Sequence, residues 1–200
     1  MSSKTSLNNI AGIIIAAGES KRLGRIKQLL PWRGKSLIEF IIQTARDCKL
    51  EPIHVILGAN YDQIAPLINC PRVKIINNKR WEEGKGTSIS LGIESLPEKV
   101  KAAFVFVVDQ PFLNRKLINA ILNVYEIKKT DIIAPYVREI QSNPVLFNRS
   151  VFPELMKLKG EEGGRIIFKN YRLEKLDWED EKVLWDIDTL ADYENLINQV

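Results

Sequence analysis

One histidine, two cysteines, two methionines and no long apolar run set the first limits on this 200-residue chain. Cys48 and Cys70 are too few for a disulfide framework, and with His54 they fall short of the four ligands of a structural zinc site. The expectation is a reducing, cytoplasmic setting. The purely apolar stretch at 102–108 is far below the roughly 20 residues that cross a bilayer. The apolar run at 10–17 follows Lys4 but leads directly into Glu19, Lys21 and Arg22, so it reads as a buried strand and not as a signal peptide. Charge of one sign is also scarce: 29 Lys and Arg against 25 Asp and Glu leave +4. That excess suits anionic small molecules and is too small for a nucleic-acid-binding stripe. Neither a membrane nor a nucleic acid is an expected partner.

What is present is an alternation of short β-branched runs with longer amphipathic segments, in a chain with enough apolar residues, 45%, for one substantial core. After a polar leader at 1–9, expected to fray, strands are predicted at 12–16, 53–57, 73–76, 102–108 and 132–134. Unalternating runs of this kind suit parallel strands covered on both faces. Leu37, Phe40, Ile41, Thr44, Ala45 and Cys48 recur at helical spacing, as do Leu117, Ile118, Ile121, Leu122 and Tyr125, and a further helix is predicted around 89–96. Ser36 is a candidate cap for the first of these helices. Beyond Pro135 another strand is predicted at 144–147, with helices at 151–158, 163–170 and 189–199, the last capped by Thr189. The absence of a polar linker predicts a single domain over 1–200, of α/β class.

The first strand ends in Ala16-Ala17-Gly18-Glu19-Ser20-Lys21-Arg22-Leu23-Gly24, and Lys27 follows. Small residues at the carboxyl end of a strand let backbone N–H groups approach phosphate oxygens, and Arg22 and Lys27 add cationic donors. An ordinary glycine-containing turn with solvated charges is the alternative. Two better-known fingerprints fail: G-x-G-x-x-G lacks its second glycine after Gly18, and Gly34-Lys35-Ser36 lacks the earlier glycine of a P-loop, whose place is taken by Leu29. Gly34-Lys35 is then the turn before the helix that Ser36 caps.

The run at 102–108 delivers Asp109, followed by Gln110-Pro111, to the carboxyl end of a central strand. Carboxylates are the protein ligands of Mg²⁺, which takes one or two and leaves its other positions to water and substrate phosphates. A turn-initiating role before Pro111 is the alternative for Asp109. A second carboxylate is expected from Asp186-Ile187-Asp188, with Asp188 the candidate and Asp186 in reserve. Capping of the last helix is a role that Asp188 can combine with metal binding. His54, inside a predicted strand, is assigned to the core and given no chemistry. The glycines of 81–88 and of 160–165 fit either ligand-cradling loops or plain turns.

Taken together, Ala16-Ala17-Gly18-x-Ser20-x-Arg22-Leu23-Gly24-x-x-Lys27-Gln28-Leu29-Leu30-Pro31 and Asp109-Gln110-Pro111 resemble the signature of the MobA-like NTP transferase family. Within it the chain is most similar to the molybdenum cofactor cytidylyltransferase branch. Leu57-Gly58-Ala59, Asn78-x-x-Trp81-x-x-Gly84-x-Gly86-x-Ser88, Asn143-Pro144-Val145 and Asp186-Ile187-Asp188-Thr189 follow in the same order. The resemblance implies a Rossmann-like three-layer sandwich of the nucleotide-diphospho-sugar transferase (glycosyltransferase-A-like) type, with a mostly parallel central sheet. It implies nucleotide binding by Ala16, Ala17, Gly18, Arg22, Lys27, Leu57, Gly58, Asn78, Ser88 and Asp109. Catalysis would fall to Arg22, Lys27 and Asp109, and Mg²⁺ to Asp109 and Asp188. Acceptor binding would fall to Gln110, Asn143, Pro144 and Arg165.

Ala17 stands where relatives using GTP show a second glycine, which tilts the expectation toward CTP. The implied reaction is transfer of CMP from CTP to molybdopterin with release of pyrophosphate, the product passing to a recipient molybdenum enzyme. Two departures touch the acceptor end: Ser142-Asn143-Pro144 replaces the family's Gly-His-Pro, and Lys85 replaces a Met between two glycines. A sugar phosphate as acceptor, GTP as donor, or a non-catalytic nucleotide-binding or cofactor-chaperone role are the rival readings.

Overall fold

A computed structural model describes residues 9–198; the expected frayed leader lies, apart from Asn9, outside the described residues. The strands are β1 (Ile10–Ala16), β2 (Pro31–Trp32), β3 (Lys35–Ser36), β4 (Ile53–Leu57), β5 (Val73–Asn77), β6 (Ala102–Val107), β7 (Ile132–Val137), β8 (Ile140–Gln141), β9 (Val145–Asn148) and β10 (Leu173–Asp177). The α-helices are α1 (Leu37–Asp47), α2 (Tyr61–Ile64), α3 (Lys85–Glu94), α4 (Arg115–Lys128), α5 (Phe152–Leu155) and α6 (Leu190–Ile197). The main sheet runs β10-β7-β9-β6-β1-β4-β5, with β8 paired to β7, while β2 and β3 form a separate hairpin.

Strands β6, β1, β4 and β5 are mutually parallel, as the unalternating runs predict. β9 is antiparallel to both β6 and β7, and β10 is parallel to β7 at the edge. Side chains alternate between faces along each strand. Ile10 and Ile14 of β1 with Phe104 and Phe106 of β6 therefore pack under α1, α4 and α6. Ala11 and Ile13 with Ala103 and Val105 pack under α3 and α5. Burying each such Ile or Phe side chain contributes about 1.5–3 kcal/mol, so the two layers hold the sheet from both sides.

The Ser36 and Thr189 caps fall where the sequence predicts two helix starts, whereas α3 begins at Lys85, before the predicted 89–96 segment. Ser36 and Glu39 form a reciprocal capping box on α1, and Thr189 and Asp192 form another on α6. The predicted helix at 163–170 is a 3-10 helix over Gly164–Asn170, and the one at 151–158 is shorter, reduced to a 3-10 turn plus α5. β7 continues through Pro135, because the missing N–H falls between the ladder to β9, which ends at Ile133, and the ladder to β8, which begins at Tyr136. β10 carries no apolar run: its Leu-Glu-Lys-Leu-Asp sequence suits a half-exposed edge.

Candidate active site

The chain leaves β1 at Ala16 and turns sharply. Ser20 (φ 62°) and Gly24 (φ 69°) both lie in the left-handed region and bracket a single 3-10 turn, Lys21–Leu23. The Ser20 hydroxyl accepts from the Lys27 backbone N–H at 3.3 Å, which pins the second 3-10 turn, Lys27–Leu29, against the first. The Lys27 side chain is thereby carried inward and is only 11% exposed.

Next to it, β6 hands over to Asp109. The Ile187 N–H donates to the Asp109 carbonyl at 2.9 Å, which docks the tail beside this strand end. Edge-on aromatic contacts, Trp32 to Phe112 at 5.3 Å and Phe112 to Trp185 at 5.4 Å, clamp the same tail to the β2–β3 hairpin and to the loop after Asp109. The Tyr193 hydroxyl, donating to the Pro31 carbonyl at 2.7 Å, fixes α6 behind it. Asp192 completes the arrangement by accepting from the Asp188 and Thr189 N–H groups at 3.1 and 2.7 Å.

The outcome is a four-residue charge cluster. Lys27 Nζ lies 3.3 Å from Asp188 Oδ1 and 3.9 Å from Asp109 Oδ2, and Arg22 Nη2 lies 3.1 Å from Asp188 Oδ2. Asp109 keeps 37% of its side-chain surface open to the cavity, yet its carboxyl is set deep among surrounding atoms. Desolvation raises its pKa, with the Lys27 ammonium pulling the other way and the Asp188 charge adding to the rise. The Asp186 carboxyl is pushed up to about 6, by desolvation first and then by the charge of Asp109. Among the described residues no cluster of three or more His, Cys, Asp or Glu is arranged to hold a metal. Two carboxylates of hard oxygen donors, Asp109 and Asp188, fit an ion that completes its shell with substrate oxygens.

A cavity of about 510 Å³ opens from this cluster. Nine of the expected site residues line it: Ala16, Ala17, Gly18, Arg22, Lys27, Asp109, Asn143, Arg165 and Asp188. Gln110 and Pro144 border a smaller adjoining pocket, and Gln110 Oε1 accepts from the Asn143 N–H at 3.3 Å, so it orients Asn143. Four others do not line the cavity. Leu57 is fully buried in the core. Gly58 is a close-packing position, where a Cβ would sit 2.5 Å from Trp81 Cβ and 2.7 Å from the Ala17 carbonyl oxygen. Asn78, 3% exposed, donates to Thr87 Oγ1 and to Ser88 Oγ, each at 2.9 Å, and accepts from the Arg80 N–H. Asn78 and the buried Ser88 thus strap the loop after β5 to α3.

The lining also includes Gln28, Gln141 and Lys85, which the sequence patterns do not assign to the site. Lys85 carried a signal, its departure from Met. It stands at the start of α3, and its Cε is within 3.4 Å of where a Cβ on Gly163 would be. The 160–165 segment is pressed onto that helix end. The Gly86 N–H donates to the Gly160 carbonyl at 2.9 Å, and a Cβ on Gly84 (φ 108°) would lie 2.3 Å from the Gly160 backbone. Lys85 and Arg165 are thereby brought to the same cavity, whose lining also includes the apolar Ile89, Val105, Val145, Phe147 and Phe168. Neither cation has a carboxylate within salt-bridge distance among the described residues.

The MobA-like NTP transferase domain matches residues 12–176, most of the chain. The protein belongs to the MobA-like NTP transferase family. It is a nucleotidyltransferase of the MobA-like type with the nucleotide-diphospho-sugar transferase fold. The chain is 27% identical to nicotine blue oxidoreductase of Paenarthrobacter nicotinovorans, covering 96% of this chain and 98% of the relative. It is 26% identical to a probable molybdenum cofactor guanylyltransferase of Geobacillus sp., covering 96% and 100%. The crystal structure of Rv0371c from Mycobacterium tuberculosis is similar with a TM-score of 0.84 at 24% identity, covering 95% of this chain and 97% of that one. Rv0371c in complex with manganese gives a TM-score of 0.80 at 22% identity, covering 96% and 100%. Among the described residues no helix of this family member is long and apolar enough to cross a membrane.

Proposed function

We propose that this MobA-like protein, acting as one domain in the cytoplasm, transfers CMP from CTP to the phosphate of a molybdopterin-type acceptor in a Mg²⁺-dependent reaction. The observation that carries the reading is the approach of both Asp109 and Asp188 to Lys27 Nζ, at 3.9 and 3.3 Å, in the cavity that the Ala16–Gly18 loop lines. An acceptor phosphate oxygen forms a bond to the α-phosphorus as the bond to the β-phosphate oxygen breaks, and pyrophosphate leaves. A phosphomonoester is largely ionised near neutral pH, so no strong general base is needed. Lys27 and Arg22 offset the charge of the triphosphate and of the departing pyrophosphate. Asp109 and Asp188 would hold the divalent ion, which supplies Lewis-acid charge at the α-phosphate; the manganese complex of Rv0371c supports this choice of ion class. The apolar lining of Ile89, Val105, Val145, Phe147 and Phe168 together with Lys85 and Arg165 suits a ring-bearing anionic acceptor, destined for a molybdenum enzyme.

Ala17, 5% exposed at the cavity edge, supports CTP, because its methyl narrows the space beside the base. GTP is the second reading, favoured by the relatives named guanylyltransferases. Incubation with CTP or GTP, Mg²⁺ or Mn²⁺, and molybdopterin, followed by mass analysis of the product, separates the two. The cytosine dinucleotide plus pyrophosphate is expected, and Ala17→Gly is expected to admit GTP. Pyrophosphate release with sugar 1-phosphates alone would move the acceptor class, and nucleotide binding without turnover would make the protein a binder. Asp109→Asn is expected to lower kcat by about 10²–10³. Its unfolding midpoint in the absence of metal is expected to stay or rise, since a desolvated charge is removed. Near-normal turnover would take Asp109 out of the metal site.

A further inference from the structure

Gln28 is 1% exposed, borders the cavity, and plays no part in the chemistry described above. Its Nε2 donates to the Ala16 carbonyl at 2.7 Å and to the Gly18 carbonyl at 3.2 Å. The carbonyl between them, that of Ala17, accepts from the Ala59 N–H at 3.1 Å. Three consecutive carbonyls of the loop are thus drawn toward the protein. A peptide unit is planar and trans, so each carbonyl held on one side sends the next N–H to the other. The N–H groups of Gly18 and Glu19 have no acceptor among the described residues, and the loop that carries them lines the cavity.

As a core filler Gln28 is a poor choice. Its Oε1 is buried with no hydrogen-bond partner, a situation that costs stability, and a methionine has nearly the same shape without that polar atom. The oxygen gains nothing, so the purpose of the amide lies in the two bonds its nitrogen makes. We infer that Gln28 is the positioning residue of the nucleotide loop, turning its N–H groups toward the cavity so that they receive the triphosphate. It touches no substrate atom and acts through the backbone of 16–19. The inference rests on the nucleotide-binding reading above and adds to it the device that presets the loop.

The test is calorimetric binding of CTP and CMP, or GTP and GMP if the unchanged protein prefers guanine, each with Mg²⁺, to the unchanged protein, Gln28→Met and Gln28→Glu. Both variants are expected to weaken triphosphate binding by about tenfold, the equivalent of one good hydrogen bond. Monophosphate binding is expected to change by less than about twofold, because fewer phosphate oxygens use the loop. Gln28→Met leaves the Ala16 and Gly18 carbonyls unpaired and lowers the unfolding midpoint whichever role Gln28 plays, so the deciding readout is the triphosphate-to-monophosphate ratio, which a purely structural glutamine would leave intact. Gln28→Glu keeps the size and replaces the donor by an acceptor, so it gives the same reading if Gln28→Met folds poorly. Unchanged triphosphate affinity in either folded variant, or equal losses for both nucleotides, would overturn the assignment. Absence of any nucleotide binding by the unchanged protein would instead overturn the reading of the cavity itself, and Gln28's role with it.

Discussion

Lys27 and His54 show how a titratable residue can be used in opposite ways. Lys27 sits at 9% exposure between carboxylates that keep its charge compensated, and in the proposed reaction that charge is what it contributes. His54, on β4 at 3% exposure, is the core residue the sequence predicted. Its Nδ1 meets Ser95 Oγ at 2.6 Å, and that hydroxyl donates to the Gly92 carbonyl at 2.7 Å, so the neutral Nδ1–H tautomer satisfies the pair. Burial, aided by Lys74, lowers its pKa from 6.5 to about 4. The unfolded chain therefore binds the extra proton first. Stability is complete above pH 6.5 and is lost as pH falls toward 4, by about 3 kcal/mol in full. Urea midpoints at pH 7 and 4.5 should fall further for the unchanged protein than for His54→Phe; equal losses would assign the acid sensitivity elsewhere.

At the scale of elements, the wall that carries Lys85 and Arg165 exists because α3 and the 160–165 segment touch backbone to backbone. A Cβ on Gly86 would lie 2.7 Å from the Lys159 carbonyl oxygen and 2.9 Å from two further Lys159 backbone atoms, none of which can swing aside as a side chain would. Gly86→Ala is expected to cost about 1–3 kcal/mol, read from the urea midpoint. It should also raise KM for the acceptor more than KM for the nucleotide, since Lys85 and Arg165 separate while Lys27 and Asp109 stay in place. A larger effect on the nucleotide KM would assign this wall to the nucleotide instead. Legibility followed the same division. The caps Ser36 and Thr189 and the strand-end acid Asp109 depend on near neighbours or on the end of one apolar run, and these are legible in the sequence. Asn78 and Ser88 looked like ligand contacts in the linear pattern, but their hydrogen bonds are used internally, which only the approach of α3 to the loop after β5 decides.

For the whole molecule, a site assembled from β1, β6 and the tail ties ligand binding to global stability. A Mg²⁺–nucleotide complex at about 100 times its Kd adds about 2.7 kcal/mol to unfolding, expected as one cooperative transition shifted upward and as a smaller shift in Asp188→Asn. Two separate transitions would divide the chain into independently folding parts. The sequence by itself determined the parallel β-branched strands, the helices between them, the loop of small residues after β1 and the acid after β6, because each is set by periodicity or by neighbours along the chain. Only the tertiary structure decided that β9 enters antiparallel between β6 and β7, that a polar segment closes the edge as β10, and that Gln28 reaches back to grip the first loop. It also decided the partnership of Lys27 with Asp188, 161 residues apart. That contact depends on the Ile187–Asp109 backbone bond and the edge-on Trp32–Phe112–Trp185 contacts, and no local pattern encodes interactions that form only when distant segments are packed on the same sheet end.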